Sequence, residues 1–277
     1  MSRTEKSVKN IIWVIASQAI TGVLAFAVRT ALIKTVGIDA IAINGVLMEI
    51  VSVISLAEMG FGTLLIYNLH APLANGDKSR VSCLMNLFGR IYKIVAAVEL
   101  SIGLLLIPFV GYIISTDTFT DVYVMVVLVL FLIRGALNCA VVPKTALLNA
   151  DQKQYVVSAV ILVFRVLGTC LLLIILCIWN EYVIFVLLDV AITLGMNCAI
   201  AIIVKKRYAY LNSKEKLCLQ EMKRILSGAK DVFVKNASGK VTHATDHLMI
   251  SLMIGIEAVG YYSNYAMFLN IVKRIGG

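Results

Sequence analysis

Charge is scarce in this sequence: 15% of its 277 residues are Asp, Glu, Lys or Arg, against about 25% in an ordinary soluble domain. The charge that is present gathers in short clusters between apolar runs of about 18 residues or more, the pattern of membrane-spanning helices. Proline is scarcer still, with three residues. Together with the lack of low-complexity stretches, this leaves little linker composition. No cleavable signal peptide is evident. The basic segment 2–10 is followed by an apolar stretch of about 22 residues, too long for a signal core and without a small-residue cleavage site after it. The first span is therefore expected to be retained.

Other absences narrow the chemistry. The six cysteines, Cys83, Cys139, Cys170, Cys177, Cys198 and Cys218, include no Cys-x-x-Cys pair, so they read as small apolar packing residues rather than a disulfide framework or zinc site. No phosphate-binding loop or dinucleotide fingerprint occurs, which argues against an ATP-driven pump. Of three histidines, His243 and His247 fall at i, i+4 beside Asp246, too few ligands to hold a metal. No nucleophile–base arrangement is recognisable and large loops are missing on the side poor in basic residues. An enzyme is not expected, and neither is a bound cofactor or metal.

What is there is hydrophobic: 60% of the residues. Eight apolar runs, 11–33, 41–66, 91–114, 122–148, 156–179, 182–204, 241–254 and 259–275, are expected to be helices, because a bilayer offers backbone amides no water to bond. The fold class is thus all-α, a polytopic membrane helix bundle of about eight transmembrane helices. The fourth run is long enough to require tilt or an extension, and Pro143 offers a kink near one end. Of the 25 Lys and Arg, 21 fall at the N-terminus, in alternate connections and in the tail; the connection 205–240 alone holds ten. The opposite side holds Lys34 with Asp39, Asp117, Asp121, Glu181 and Glu257. The positive-inside rule then puts the N-terminus in the cytoplasm. The formal charge of +9 is accounted for by topology and calls for no nucleic acid. Within 205–240, Leu217, Met222, Ile225 and Leu226 alternate with Lys214, Lys216, Lys223 and Arg224, a connector suited to rest on anionic lipid headgroups.

Gly37-Ile38-Asp39-Ala40-Ile41 returns 218 residues later as Gly255-Ile256-Glu257-Ala258-Val259. Both copies lie in a loop between two spans on the same side, with six spans intervening. This reads as a parallel repeat, and divides the chain into a first six-helix lobe (1–204), a cytoplasmic connector (205–240) and the first two helices of a second lobe (241–277).

Several segments carry a further signal: Ser55-Leu56-Ala57-Glu58-Met59-Gly60-Phe61-Gly62, Ile66-Tyr67-Asn68-Leu69, Pro72-Leu73-Ala74 with Asp77, Ala150-Asp151-Gln152-Lys153-Gln154-Tyr155, Thr245-Asp246, and Val259-Gly260-Tyr261-Tyr262-Ser263-Asn264-Tyr265. In order and spacing they resemble the polysaccharide repeat-unit flippases, the O-antigen and capsule transporters of the multidrug/oligosaccharidyl-lipid/polysaccharide exporter superfamily. His247 stands where that family usually has Asn. The resemblance implies a MATE-like first lobe, residence in the bacterial cytoplasmic membrane, and transport of undecaprenyl-pyrophosphate-linked oligosaccharides by alternating access of two lobes. It also implies a lipid-linked oligosaccharide substrate and contacts with polysaccharide assembly proteins. Such transporters normally have twelve or more spans, so this chain reads as the front part of one. The alternatives are a cation-coupled exporter of small molecules, and a remnant that transports nothing.

Ionisable groups at membrane depth cost roughly 3 kcal/mol on insertion scales and usually face a cavity or a partner. Three arginines qualify: Arg29, Arg134 and Arg165. Asn138 lies one turn from Arg134, and Gln18 shares a helical face with Gly22, Ala25 and Arg29. These five polar residues, Arg134, Arg165, Arg29, Asn138 and Gln18, are the substrate-cavity candidates, since guanidinium groups offer planar paired donors to a pyrophosphate. The acids within spans are Glu49, Glu58, Glu99, Asp189 and Asp246. Glu49, Glu58, Asp189 and Asp246 are the candidates for gating or for proton or sodium coupling; the rival reading is that acids neutralise the arginines. Glu49 and Glu58 lie on opposite faces of a straight helix over 41–66, and Asp189, Thr193 and Asn197 form a stripe at i, i+4 and i+8.

Overall fold

The computed structural model describes residues 3–55, 59–114, 119–212, 227, 249–251, 253–255, 258–263, 265 and 266. Among these, the chain forms helices and the turns that join them: α1 (Arg3–Thr35), α2 (Ile38–Ile54), α3 (Met59–Ala74), α4 (Lys78–Leu106), the short α5 (Val110–Ile113), α6 (Asp121–Ala150), α7 (Gln154–Trp179) and α8 (Tyr182–Arg207), with single-turn 3-10 segments at Ile107–Phe109 and Ala209–Asn212. Among the described residues, four helical stretches are long and apolar enough to cross a bilayer: Lys78–Phe109, Asp121–Ala150, Gln154–Trp179 and Tyr182–Arg207. Large apolar side chains stand exposed around them, among them Ile94, Leu105, Val122, Leu167, Ile174 and Leu187. A belt of this extent is intolerable in water and natural in lipid. The molecule is a helical membrane bundle.

Local chemistry sets the ends of the helices. Asp77 caps α4, its carboxylate accepting a hydrogen bond from the Arg80 amide at 2.9 Å. Thr120 caps α6 by accepting from the Tyr123 amide, and Asp121 in the first turn suits the positive end of the helix dipole. Asn180, in the left-handed region, ends α7, and Lys205, Lys206 and Arg207 close α8 where cations favour the dipole. The α6 helix, 30 residues and hence about 45 Å long, contains Pro143 within an unbroken helical run.

The expected second span is corrected. Residues 41–66 are not one helix: α2 ends at Ile54, and Ser55 turns its amide onto the carbonyls of Val51 and Val53. The next described helix, α3, begins at Met59. No proline or glycine marks this break, so hydropathy alone runs straight through it. The seventh and eighth expected spans fall mostly outside the described residues.

The α6 helix is central. It packs along α4 on one side and α8 on the other and also meets α2 and α3; α7 lies on α8, and α1 on α7. Small residues allow the close approach of α7 and α8: a Cβ on Gly168 would come within 2.9 Å of Ile192, and one on Gly195 within 3.0 Å of Phe164. Two apolar cores result. One, at the end remote from the basic connections, holds Leu32, Ile41, Val124, Leu128, Leu176, Tyr182 and Val259. The other, at the basic end, holds Leu65, Leu69, Phe88, Tyr92, Leu147, Ile200 and Val204.

Candidate functional site

Between the two cores lies a layer of polar side chains. Along α6 the first core reaches Leu132 and the second begins at Cys139; Arg134, Gly135, Leu137 and Asn138 occupy the gap. Arg134 extends toward α8 and its Nη1 meets Asp189 Oδ2 at 3.0 Å, with side-chain exposures of 20% and 17%. The guanidinium also lies 6.0 Å from the centre of the Phe131 ring, a geometry that favours a cation over a π face. One turn further along α8, Thr193 donates to the Asp189 carbonyl at 2.8 Å. One turn beyond, the Asn197 amide donates to the Leu137 carbonyl of α6 at 2.8 Å. The polar stripe Asp189–Thr193–Asn197 thus runs along the α6–α8 seam.

This seam keeps unused hydrogen-bonding capacity. Arg134 Nε, Asn197 Oδ1 and the hydroxyl of fully buried Tyr182 have no hydrogen-bond partner among the described residues. Buried groups of this kind cost stability unless something else satisfies them. An anionic ligand entering the seam would find donors on Arg134 and an acid, Asp189, that it must displace.

On the other side of α6 sits Glu99 of α4, 2% exposed. Its Oε1 accepts a hydrogen bond from the Ser55 hydroxyl, at the end of α2. Gly135, the neighbour of Arg134, makes room for it: a Cβ there would come within 2.8 Å of Glu99 Oε1. A row of three helices, α4, α6 and α8, therefore carries a buried carboxylate, a central arginine and a second carboxylate at one depth. Glu99 is a member of this polar layer that sequence spacing did not single out. Its one available signal was its depth within an apolar run; its link to Ser55 spans 44 positions and follows no local period.

The remaining candidates are dispersed. Arg29 is half-buried near the end of α1, with Nη2 3.5 Å from the Gly260 carbonyl. Arg165 and Asn138 stand exposed on α7 and α6, and Glu49 is half-buried on α2. Gln18 lies on the helical backbone of α1. Glu58, Asp246, His243 and His247 fall outside the described residues. The segment 150–155 forms the α6–α7 turn: Asp151 pairs with Lys153 and accepts from the Tyr208 hydroxyl at 2.5 Å, tying the end of α8 to this turn. Lys153 and Lys78 lie over the rings of Tyr208 and Tyr210. Close by the start of α4, an open cleft of about 520 Å³ is lined by Tyr67, Asn68, His70, Asn75, Asp77 and Arg80, among others.

Comparison with known proteins identifies the family. A family model described as polysaccharide biosynthesis protein matches residues 7–275. No curated protein and no solved structure matches the chain. With the family match running along almost all of a helical membrane bundle, the chain belongs to the polysaccharide biosynthesis protein family and has a role in polysaccharide biosynthesis or export.

Proposed function

We propose that the protein is a flippase, moving undecaprenyl-pyrophosphate-linked oligosaccharide units across the bacterial cytoplasmic membrane by alternating access. The observation that carries this reading is the Arg134–Asp189 pair, held at 3.0 Å in a polar layer between two apolar cores. A pyrophosphate must shed water to cross, and an always-ionised guanidinium offers it planar paired donors. Asp189 occupies those donors in the absence of cargo and keeps the bare arginine from being stranded in a medium hostile to charge. Headgroup binding would exchange one anion for another, and the released carboxylate could take up a proton. Coupling to a proton or sodium gradient is assigned to Asp189 on this reading. The N-terminus and the basic connections face the cytoplasm on this reading, and the apolar belt leaves the prenyl tail in lipid.

The test is glycan export in cells that depend on this protein. Arg134→Ala and Arg134→Lys should both insert in the membrane, with export abolished by the first and strongly reduced by the second, because an ammonium lacks the paired donors. Export at the unmodified rate in both would remove Arg134 from the mechanism.

A further inference from the structure

Lys93 of α4 and Lys144 of α6 stand within electrostatic reach of one another at the basic end of the bundle. The Cys139 thiol donates to the Tyr92 carbonyl at 3.4 Å, which fixes α4 and α6 side by side next to the two lysines. Lys93 is exposed and Lys144 half-buried, and Arg90 stands exposed one turn before Lys93. Among the described residues no acid pairs with either lysine. Two acids near this end have other tasks: Asp77 caps α4, and Asp151 is held by Lys153 and the Tyr208 hydroxyl. Like charges drawn together without an acid between them repel, the more so where water is partly excluded. An anion from outside the chain relieves that repulsion.

The surroundings say which kind of anion fits. Val126 and Ile133 precede Lys144 by about five and three helical turns on the same face of α6, and both are exposed. Leu104, three turns beyond Lys93 on α4, is exposed as well. On α8, Cys198 lies within electrostatic reach of Lys144 and shares its face with exposed Leu187, Leu194 and Ile202. This is the side of α6 turned away from α3, since Gly62 of α3 lies against Val142, about 200° round the helix from Lys144. It is also separate from the Arg134–Asp189 seam, because Asp189 and Cys198 fall on opposite faces of α8. An apolar face of three helices therefore ends, at the basic side, in a cluster of cations. A phosphate with acyl chains uses both parts; a free phosphate uses one.

We propose that Lys93 and Lys144, with Arg90 beside them, form a site for one anionic phospholipid of the leaflet at the basic end. Its phosphate lies between the two ammonium groups, and its acyl chains run along the exposed apolar face of α4, α6 and α8. Basic pockets between membrane helices recognise lipid headgroups in this way. The lipid supplies the negative charge that no acid of the chain supplies here, and so ties α4 to α6. Nothing in this site depends on what the protein transports.

The experiment uses the full chain purified in neutral detergent, with dioleoyl phosphatidylglycerol or dioleoyl phosphatidylcholine added. Bound lipid is counted by native mass spectrometry, and stability is followed by thermal unfolding. The wild type should retain one phosphatidylglycerol at a several-fold lower lipid concentration than phosphatidylcholine, and should unfold several degrees higher with it. Lys93→Gln/Lys144→Gln should lose both effects, whereas Lys205→Gln/Lys206→Gln, which removes the same charge from the end of α8, should keep them. In neutral detergent alone the Lys93→Gln/Lys144→Gln protein should unfold no lower than wild type, because a repulsion has been removed. Its unfolding well below wild type there would show that the lysines stabilise without an anion, and would overturn the site. Equal retention of phosphatidylglycerol by wild type and Lys93→Gln/Lys144→Gln, or a preference lost equally in Lys205→Gln/Lys206→Gln, would overturn it too. Glycerol 3-phosphate giving the same stabilisation as the lipid would overturn the assignment to a phospholipid.

Discussion

Removing one member of the Arg134–Asp189 pair should destabilise the bundle far more than removing both. At 3.0 Å the attraction is roughly 5 kcal/mol for an effective dielectric of about 20. Much of this offsets desolvation, so a well-packed apolar pair in the same place is expected to be nearly neutral. A single change is different, because it strands a charge at mid-bundle. Arg134→Met leaves the Asp189 carboxylate alone, and Asp189→Leu leaves the guanidinium alone; each should cost about 3 kcal/mol. That is the low end for buried pairs, since both side chains keep some exposure, 20% and 17%. The double variant should cost less than about 1 kcal/mol, leaving a coupling of about 5 kcal/mol in the cycle. The assay is reversible unfolding of the purified protein in mixed detergent micelles, followed by circular dichroism. Additive costs within about 0.5 kcal/mol would mean that the two groups do not depend on one another, and would refute the pairing.

Gly135→Ala should destabilise by about 1–3 kcal/mol in the same assay, because its Cβ would lie 2.8 Å from Glu99 Oε1 and 3.1 Å from Val51; a neutral result would contradict the close approach of α4, α2 and α6. Burial, then the hydrogen bond to Asp151 and its charge, push the Tyr208 hydroxyl well above the ordinary tyrosine range. Its raised value means that this anchor stabilises fully below pH about 10 and is lost only as pH climbs through the raised value. An absorbance titration of the wild type minus Tyr208→Phe should show a tyrosinate appearing late; one appearing at the ordinary pH would contradict it. Cys170, Cys177 and Cys198 are exposed and Cys83 and Cys139 buried, so a bilayer-soluble thiol reagent should modify the first three and spare the last two; rapid modification of Cys139 would contradict the packing of α4 on α6.

The helices themselves were legible because apolar runs longer than a bilayer is thick have few other solutions. The family was legible because its motifs span the chain, as the family match over residues 7–275 does. Partnerships were not legible. Helical period places Arg134 on a face of α6 but does not say that Asp189, 55 positions away, is what that face meets. The break after Ile54 escaped for a related reason: Ser55 is held by a carboxylate on another helix, and that tertiary contact leaves no mark in local propensity or hydropathy.

The central claim is that the polar layer around Arg134 carries a lipid-linked pyrophosphate across the membrane. Its most direct measurement is the flipping rate of a fluorescent prenyl-pyrophosphate oligosaccharide in proteoliposomes containing the full-length protein. Transfer well above that of empty vesicles in the wild type, falling toward the empty-vesicle rate in Arg134→Ala while the protein remains folded, is the predicted result. Transfer by Arg134→Ala at the wild-type rate, or a wild type no faster than empty vesicles, would contradict the account.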